Sequence, residues 1–362
     1  MGVIQLDGKI TGEAFISSAL NNPSFMTNLE VKDFSFNKSH WGDLSVQSVL
    51  EKENKRLNTN ITVVNGNNKI ADMSGYVYLN KAIDLDLIIS ASNLRIEFLQ
   101  PFLSGILQNV TGAVNVRKLK MFGSLTKPKF EGNILVKNGN FDIDFLKTNY
   151  TFTDTIKITE NSFKFNKIKV YDIEGNYGRM SGNIQHNSYK NFVFNISGNC
   201  KNIIGLNTRS TDNVNFYGKI YGTGSIRIYG NSQDVTFDIG MKTEPKSRLY
   251  IPFSSSLTAS ENTFITFVDR KENDTKERPK RTRVITPSKT NIKLNLQIDA
   301  TPNAQVQLLI DPEAGDVIKA NGSGSLKLVY NNQEDIKLYG NYVLSKGVYH
   351  FTLQNVIRKD FK

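Results

Sequence analysis

The chain has 362 residues, a net charge of +11 and 39% hydrophobic residues. That length holds either two ordinary domains or one elongated array, with enough apolar surface for a large core. A single cysteine, Cys200, excludes an intrachain disulfide and a cysteine-built metal site, which rules out a small stapled scaffold.

From the N-terminus, "MGVIQLDGKITGEAF" carries neither a basic leader region nor a continuous apolar core. No apolar run in the chain approaches the roughly 20 residues that span a bilayer. Apolar residues then return at every second position: Ile83, Leu85, Leu87 and Ile89; Phe163 and Phe165; Phe192, Phe194 and Ile196; Ile226 and Ile228; Val235, Phe237 and Ile239; Ile292, Leu294, Leu296 and Ile298. A period of two is a strand with one apolar face. Asn-Gly and Asn-Asn pairs between these runs, at Asn65 to Asn68, Asn138 to Asn140 and Asn331, suit tight hairpin turns. One stretch breaks the pattern: Leu94, Phe98, Leu99, Phe102, Leu103, Ile106 and Leu107 fall at helical spacing behind Ser92 or Asn93. Residues 93–108 are therefore predicted to form a short helical segment, interrupted at Pro101. Residues 270–290, charged and poor in apolar side chains, read as a solvated flexible loop. Lys280, Arg281 and Arg283 in that loop lack the interleaved aromatics of a single-strand binder, so no nucleic-acid partner is expected.

Two segments align without a gap. Pro23, Phe25, Asn28, Val31, Lys32 and Phe36 match Pro128, Phe130, Asn133, Val136, Lys137 and Phe141. A looser Gly-led strand pattern recurs at Thr111, Thr223 and Ser323. Repetition favours one array over 1–362 rather than two compact domains. The expected fold is all-β: an elongated, coiled antiparallel sheet forming a trough with an apolar inner face, because an open sheet of that many twisted strands cannot stay flat. Periodicity alone leaves open whether the trough is filled by its own side chains.

Catalytic chemistry finds little support. His40, His186 and His350 are far apart, and no second ligand stands at metal spacing. Asp311, Glu313 and Asp316 are close in sequence, but Pro312 and Gly315 make that segment a turn with solvated charges rather than a calcium loop or an acid/base pair. The Gly-rich stretches at Gly222 and Gly322 lead into alternating strands instead of the helix N-terminus that cradles phosphate. No enzyme, metal or cofactor is expected.

Several segments carry a family resemblance: "FLQPFLSGILQNVTGAVNV", "GTGSIRIYGNSQDVTFDIGMKTEPKSRLYIPFS", "DPEAGD" through "GSGSL" (Asp311 to Leu326), and "GVYHFTLQNVI" (Gly347 to Ile357). In this order they resemble the C-terminal region of the TamB family, within the AsmA-like superfamily of bridge-like proteins. The resemblance covers nearly the whole chain. It implies a monomeric periplasmic conduit between inner and outer membranes that carries phospholipid and supports outer-membrane biogenesis. It also implies an N-terminal membrane anchor, and docking of the C-terminal end on an outer-membrane barrel of the Omp85 class. Neither the anchor nor the family's extreme C-terminus is expected within these residues, and the last strand reads as truncated. The lane for acyl chains would run over Ile83, Leu85, Leu87, Ile89, Ile226, Ile228, Val235, Phe237, Ile239, Ile292, Leu294, Leu296 and Ile298. The rival reading is a solid structural solenoid that scaffolds assembly of outer-membrane proteins or autotransporters.

Overall fold

The computed structural model of the chain describes residues 5–17, 24–103, 107–212, 216–252, 291–311, 315–331, 337–353 and 357–362. Twenty strands form one sheet among them. The first half holds β1 (Leu6–Ser17), β2 (Ser24–Phe36), β3 (Ser39–Glu51), β4 (Arg56–Asn65), β5 (Asn68–Tyr78), β6 (Asp84–Arg95), β7 (Gln108–Ser124), β8 (Lys127–Ile143), β9 (Thr148–Thr159) and β10 (Ser162–Asp172). The second holds β11 (Tyr177–Asn187), β12 (Lys190–Thr208), β13 (Tyr217–Asn231), β14 (Asp234–Thr243), β15 (Arg248–Pro252), β16 (Asn291–Ala300), β17 (Gln305–Asp311), β18 (Asp316–Asn331), β19 (Lys337–Leu353) and β20 (Ile357–Phe361). The result is an elongated, coiled sheet with the shape of a trough.

Strands β1 to β13 pair in chain order, each antiparallel to the next. The meander then changes character. Strands β14 and β15 lie in tandem along β13 as one broken strand. They pair in parallel with β16 and β17, a second broken strand. The expectation of a purely antiparallel sheet is corrected here. A parallel neighbour requires the chain to return to the strand's starting end, which takes a crossover of a dozen residues or more. The 253–290 stretch supplies that length; it and the predicted loop at 270–290 lie outside the described residues. The two breaks are stitched together: Thr301 N–H donates to Thr243 Oγ1 (2.8 Å), Thr301 Oγ1 donates to the Thr243 carbonyl (3.0 Å), and Gln305 N–H donates to the Ser247 carbonyl (2.9 Å). Beyond them β18 pairs antiparallel with both β16 and β17, then β19 and β20 follow.

Curvature has an identifiable source. On β2, β6, β8, β10 and β12 the register shifts by one residue between Val31 and Phe34, Ala91 and Leu94, Val136 and Gly139, Phe165 and Ile168, and Cys200 and Ile203. Each shift holds one non-glycine residue at positive φ: Asp33 (56°), Asn93 (56°), Asn138 (49°), Lys167 (53°) and Asn202 (53°). In every case a side chain on the next strand accepts that residue's N–H: Asp43, Asn115, Thr153, Ser181 and Thr223, at 2.7–3.2 Å. Bulges on five strands running in the same direction bend the sheet and increase its twist, which helps to fold a flat ribbon into a trough. Asp33 and Asn138 occupy matched positions of the two aligned segments, so the internal repeat is a repeat of bulged strands.

The short helical segment expected within 93–108 is present and occupies the middle of that range. A 3-10 turn covers Glu97–Leu99 and one turn of α-helix, α1, covers Gln100–Leu103. Asn93 is no helix cap: it forms the β6 bulge, and β6 stays extended to Arg95. Pro101 sits in the first turn of α1, where a missing N–H costs nothing. No helix among the described residues is long and apolar enough to cross a membrane, which does not bear on strand-built barrels.

Candidate functional site

Alternation assigns each strand one apolar face, but only the register decides whether these faces join. Across the sheet, directly opposed residues run Gly12, Leu29, Val46, Ile61, Met73, Ile89, Leu119, Gly132, Ile158, Phe163, Ile184, Phe194, Gly230, Val235 and Ile292. The row crosses fifteen strands without a polar side chain. At the usual strand spacing it follows the trough for about 67 Å.

Parallel rows lie beside it in the C-terminal part. Phe165, Gly182, Ile196, Ile228, Phe237, Leu294 and Tyr330 are opposed in sequence. So are Met180, Gly198, Ile226, Ile239, Leu296 and Leu328. Glycine is needed where a large neighbour leans across: a Cβ on Gly182 would collide with the Phe165 ring and with Ile196. All expected lane residues except Ile83 therefore fall on one face. Ile83 lies in the turn before β6, at φ 52° and 40% exposed.

The same face is packed very differently along its length. Three buried apolar clusters draw their members from β6 to β12 and the residue that follows β6. Ile96, Val110, Val114 and Val136 form one; Ala91, Val116, Leu119 and Ile158 another; Tyr150, Ile168, Val170, Cys200 and Ile203 the third. Leu85 and Leu87 are 5% and 4% exposed, so they are core. The helical insertion roofs this stretch. Leu99 and Leu103 pack against the first cluster, and the Phe98 ring sits edge-on to Trp41 and Phe36, at 5.5 Å from each. Gln100 pins the insertion by accepting from Val110 N–H (2.7 Å) and donating to the Leu107 carbonyl (3.2 Å). On β13 to β16 no such cover exists among the described residues. Ile226, Ile228, Phe237, Ile239, Ile292, Leu296 and Ile298 are half-buried, Ile226 packing against the third cluster at the border of the two stretches, with Val235 and Leu294 as the buried exceptions.

Polar groups on the inner face are few. Thr27, Ser48 and Thr59 are buried in one row and satisfy each other locally, with Ser48 Oγ 3.0 Å from Thr59 Oγ1 and Thr27 Oγ1 donating to the Glu13 carbonyl. Asp154, opposite Val136 and half-buried, is a carboxylate on this face next to the β8 bulge. His186 is 6% exposed at the β11–β12 turn, its ring 4.5 Å from Tyr189, 5.0 Å from Phe163 and 5.9 Å from Phe192. Its Nδ1 accepts from Tyr189 N–H, its Nε2 has no partner among the described residues, and burial holds it below the ordinary histidine range. Burial likewise pushes the Cys200 thiol up and the Tyr150 phenol up to about 12, with Tyr150 donating to the Ile204 carbonyl (2.7 Å). These groups stay neutral near pH 7, so they do not charge the face. Of the acidic turn residues, Asp316 is buried and accepts Thr352 N–H from β19; Glu313 lies outside the described residues, and so does the Asp311 side chain.

Sequence reasoning missed most of the fifteen-residue row, because Leu29, Val46, Met73 and Leu119 become a lane only through pairing. The roof was legible as a break in alternation but not as a cover. In comparisons with known proteins, the family model described as the TamB C-terminal domain matches residues 166–362. No curated protein and no solved structure matches the chain.

Proposed function

Since the chain belongs to the TamB family, we propose that it is a segment of a periplasmic conduit in which an apolar lane shields phospholipid acyl chains between the inner and outer membranes. The observation that carries this reading is the row of fifteen opposed residues, Gly12 to Ile292, with no polar side chain in it. Moving a diacyl lipid through water exposes about 30 methylenes, at ~0.8 kcal/mol each on the order of 25 kcal/mol. A continuous apolar strip removes most of that barrier, and an interrupted one does not. The half-buried residues of β13 to β16 are the part of the strip with room for an acyl chain. A barrel of the Omp85 class is the partner proposed for the C-terminal end.

The packed stretch between β6 and β12 favours a second reading, a self-filled scaffold for assembly of outer-membrane proteins. In-cell photocrosslinking from Ile226 and Leu296, with Arg227 and Gln297 as controls on the opposite face, separates the two in a full-length protein carrying this chain. Phospholipid adducts at the first pair and none at the second support the conduit. Absence of adducts at all four positions sinks it.

A further inference from the structure

The polar face of the same strands carries a feature that the lane does not use. Behind β10 to β18 lies a groove of about 920 Å³. Its lining includes short residues on neighbouring strands, three serines, Ser181, Ser197 and Ser225, and Gly240. Its walls carry Lys167, Arg179, Arg227 and Lys327, against the single carboxylate of Asp238. The β10 bulge builds one end: Lys167 sits at its positive-φ position and Ser181 Oγ accepts its N–H. Register lays out the rest, since Arg179, Asn199, Ser225, Gly240, Gln297 and Lys327 are opposed in one row.

These cations are exposed, and none of the four has a carboxylate partner among the described residues. The guanidinium groups of Arg179 and Arg227 lie over the rings of Tyr177 (5.2 Å) and Tyr229 (5.0 Å). Such stacking steadies a guanidinium and leaves its N–H donors available. Asp238 is engaged elsewhere, accepting from Asn295 Nδ2 (2.7 Å) and hydrogen-bonded to Tyr229. A second groove of about 540 Å³ on this face, toward the C-terminal end, is lined by Lys319, Lys346 and Lys362.

We propose that this groove binds an extended polyanion on the side of the sheet away from the lane. Five strand steps separate Arg179 from Lys327, about 24 Å. One small anion cannot touch both ends, whereas a chain of phosphate or carboxylate groups meets Lys167, Arg179, Arg227 and Lys327 in turn, with the serine and amide lining left for hydroxyls or bridging oxygens.

The test is titration of the whole chain with short inorganic polyphosphate at several salt concentrations. Orthophosphate at equal phosphorus content and vesicles of phosphatidylglycerol with phosphatidylethanolamine are run alongside. Polyphosphate binding is expected to weaken with salt, and the Arg179→Gln, Arg227→Gln, Lys327→Gln triple variant is expected to lose about three units of the log–log salt slope, one per cation removed. Ser197→Asp, which adds a carboxylate to the lining without removing a cation, is expected to weaken binding at least about tenfold. Lys157→Gln with Lys201→Gln, exposed cations outside the groove, is expected to bind as the parent does. Unchanged binding in both groove variants overturns the proposal, as does an equal loss in the control pair. Orthophosphate binding as tightly as polyphosphate overturns the extended ligand, and vesicle binding that alone depends on the three cations reassigns the face to a membrane surface.

Discussion

The stretch from β6 to β12 and the stretch from β13 to β16 share one pattern, alternating apolar residues in register across the sheet, and differ in what covers it. In the first, buried side chains from opposite sides of the bend meet, and the roof of Leu99 and Leu103 closes over them. In the second, the same kind of face is half-exposed. Alternation therefore specifies the face, while bulges and insertions decide whether it becomes core or lane. A conduit needs both: a packed stretch holds the curvature, and an uncovered stretch accepts a chain.

The largest effect expected from breaking this comparison comes from placing a charge in each stretch. Leu87→Asp puts a carboxylate into a site 4% exposed with no partner on the inner face, and should cost at least about 3 kcal/mol or prevent folding. Leu296→Asp, at a half-buried position, should cost about 1 kcal/mol and leave the chain folded while abolishing phospholipid adducts at Ile226. Denaturant titration of both variants checks the first contrast, and crosslinking checks the second. Equal destabilisation would mean that the two stretches are equally packed.

Truncation repeats the contrast more gently. Val136→Ala and Leu87→Ala should each cost about 2–4 kcal/mol, because a packed site cannot collapse fully around the cavity. Ile226→Ala should cost about 1 kcal/mol. Replacing both Leu99 and Leu103 with Ser should loosen the roof, and a photoprobe at Val136 should then gain lipid adducts that it lacks in the parent.

The all-β class and the single apolar face were legible because a period of two admits few other readings. So was the internal repeat, whose matched Asp33 and Asn138 proved to be matched bulges. What escaped was non-local. The parallel pairing of β14 with β16 depends on a crossover that composition alone marks only as a loop, and the opposed row from Gly12 to Ile292 depends on register in every pair. The bulges had left a trace: Val31 and Phe34, Phe165 and Ile168, and Cys200 and Ile203 stand three apart where alternation wants two. The helical segment within 93–108 was legible in its existence but not in its extent, because Leu94 and Leu107 share helical spacing with Leu99 and Leu103 but belong to the extended chain on either side.

Those bulges give the next prediction. Asn tolerates positive φ, and a β-branched residue does not. Asn138→Val and Asn202→Val should each cost about 1–3 kcal/mol, although neither side chain is part of the packed clusters. If bulges shape both stretches alike, the two losses agree. If the roofed stretch is held by packing instead, Asn138→Val is the milder of the two, and calorimetric melting of the pair decides.

The smallest effect lies at His186, beside the boundary of the two stretches. Burial among Phe163, Tyr189 and Phe192 disfavours the imidazolium, so the folded-state pKa lies below the unfolded value of about 6.5. Above that pH both states hold the ring neutral and its contribution is flat. As pH falls through 6.5 the unfolded chain takes up a proton that the folded chain resists, so stability drops, until the folded-state pKa is passed and the loss levels off. His186→Phe should remove this slope and preserve the ring packing. Unfolding free energies measured between pH 8 and 5 for the parent and the variant should diverge only below about 6.5; parallel curves throughout would mean that His186 is hydrated, and that the aromatic cluster does not seal this edge of the trough.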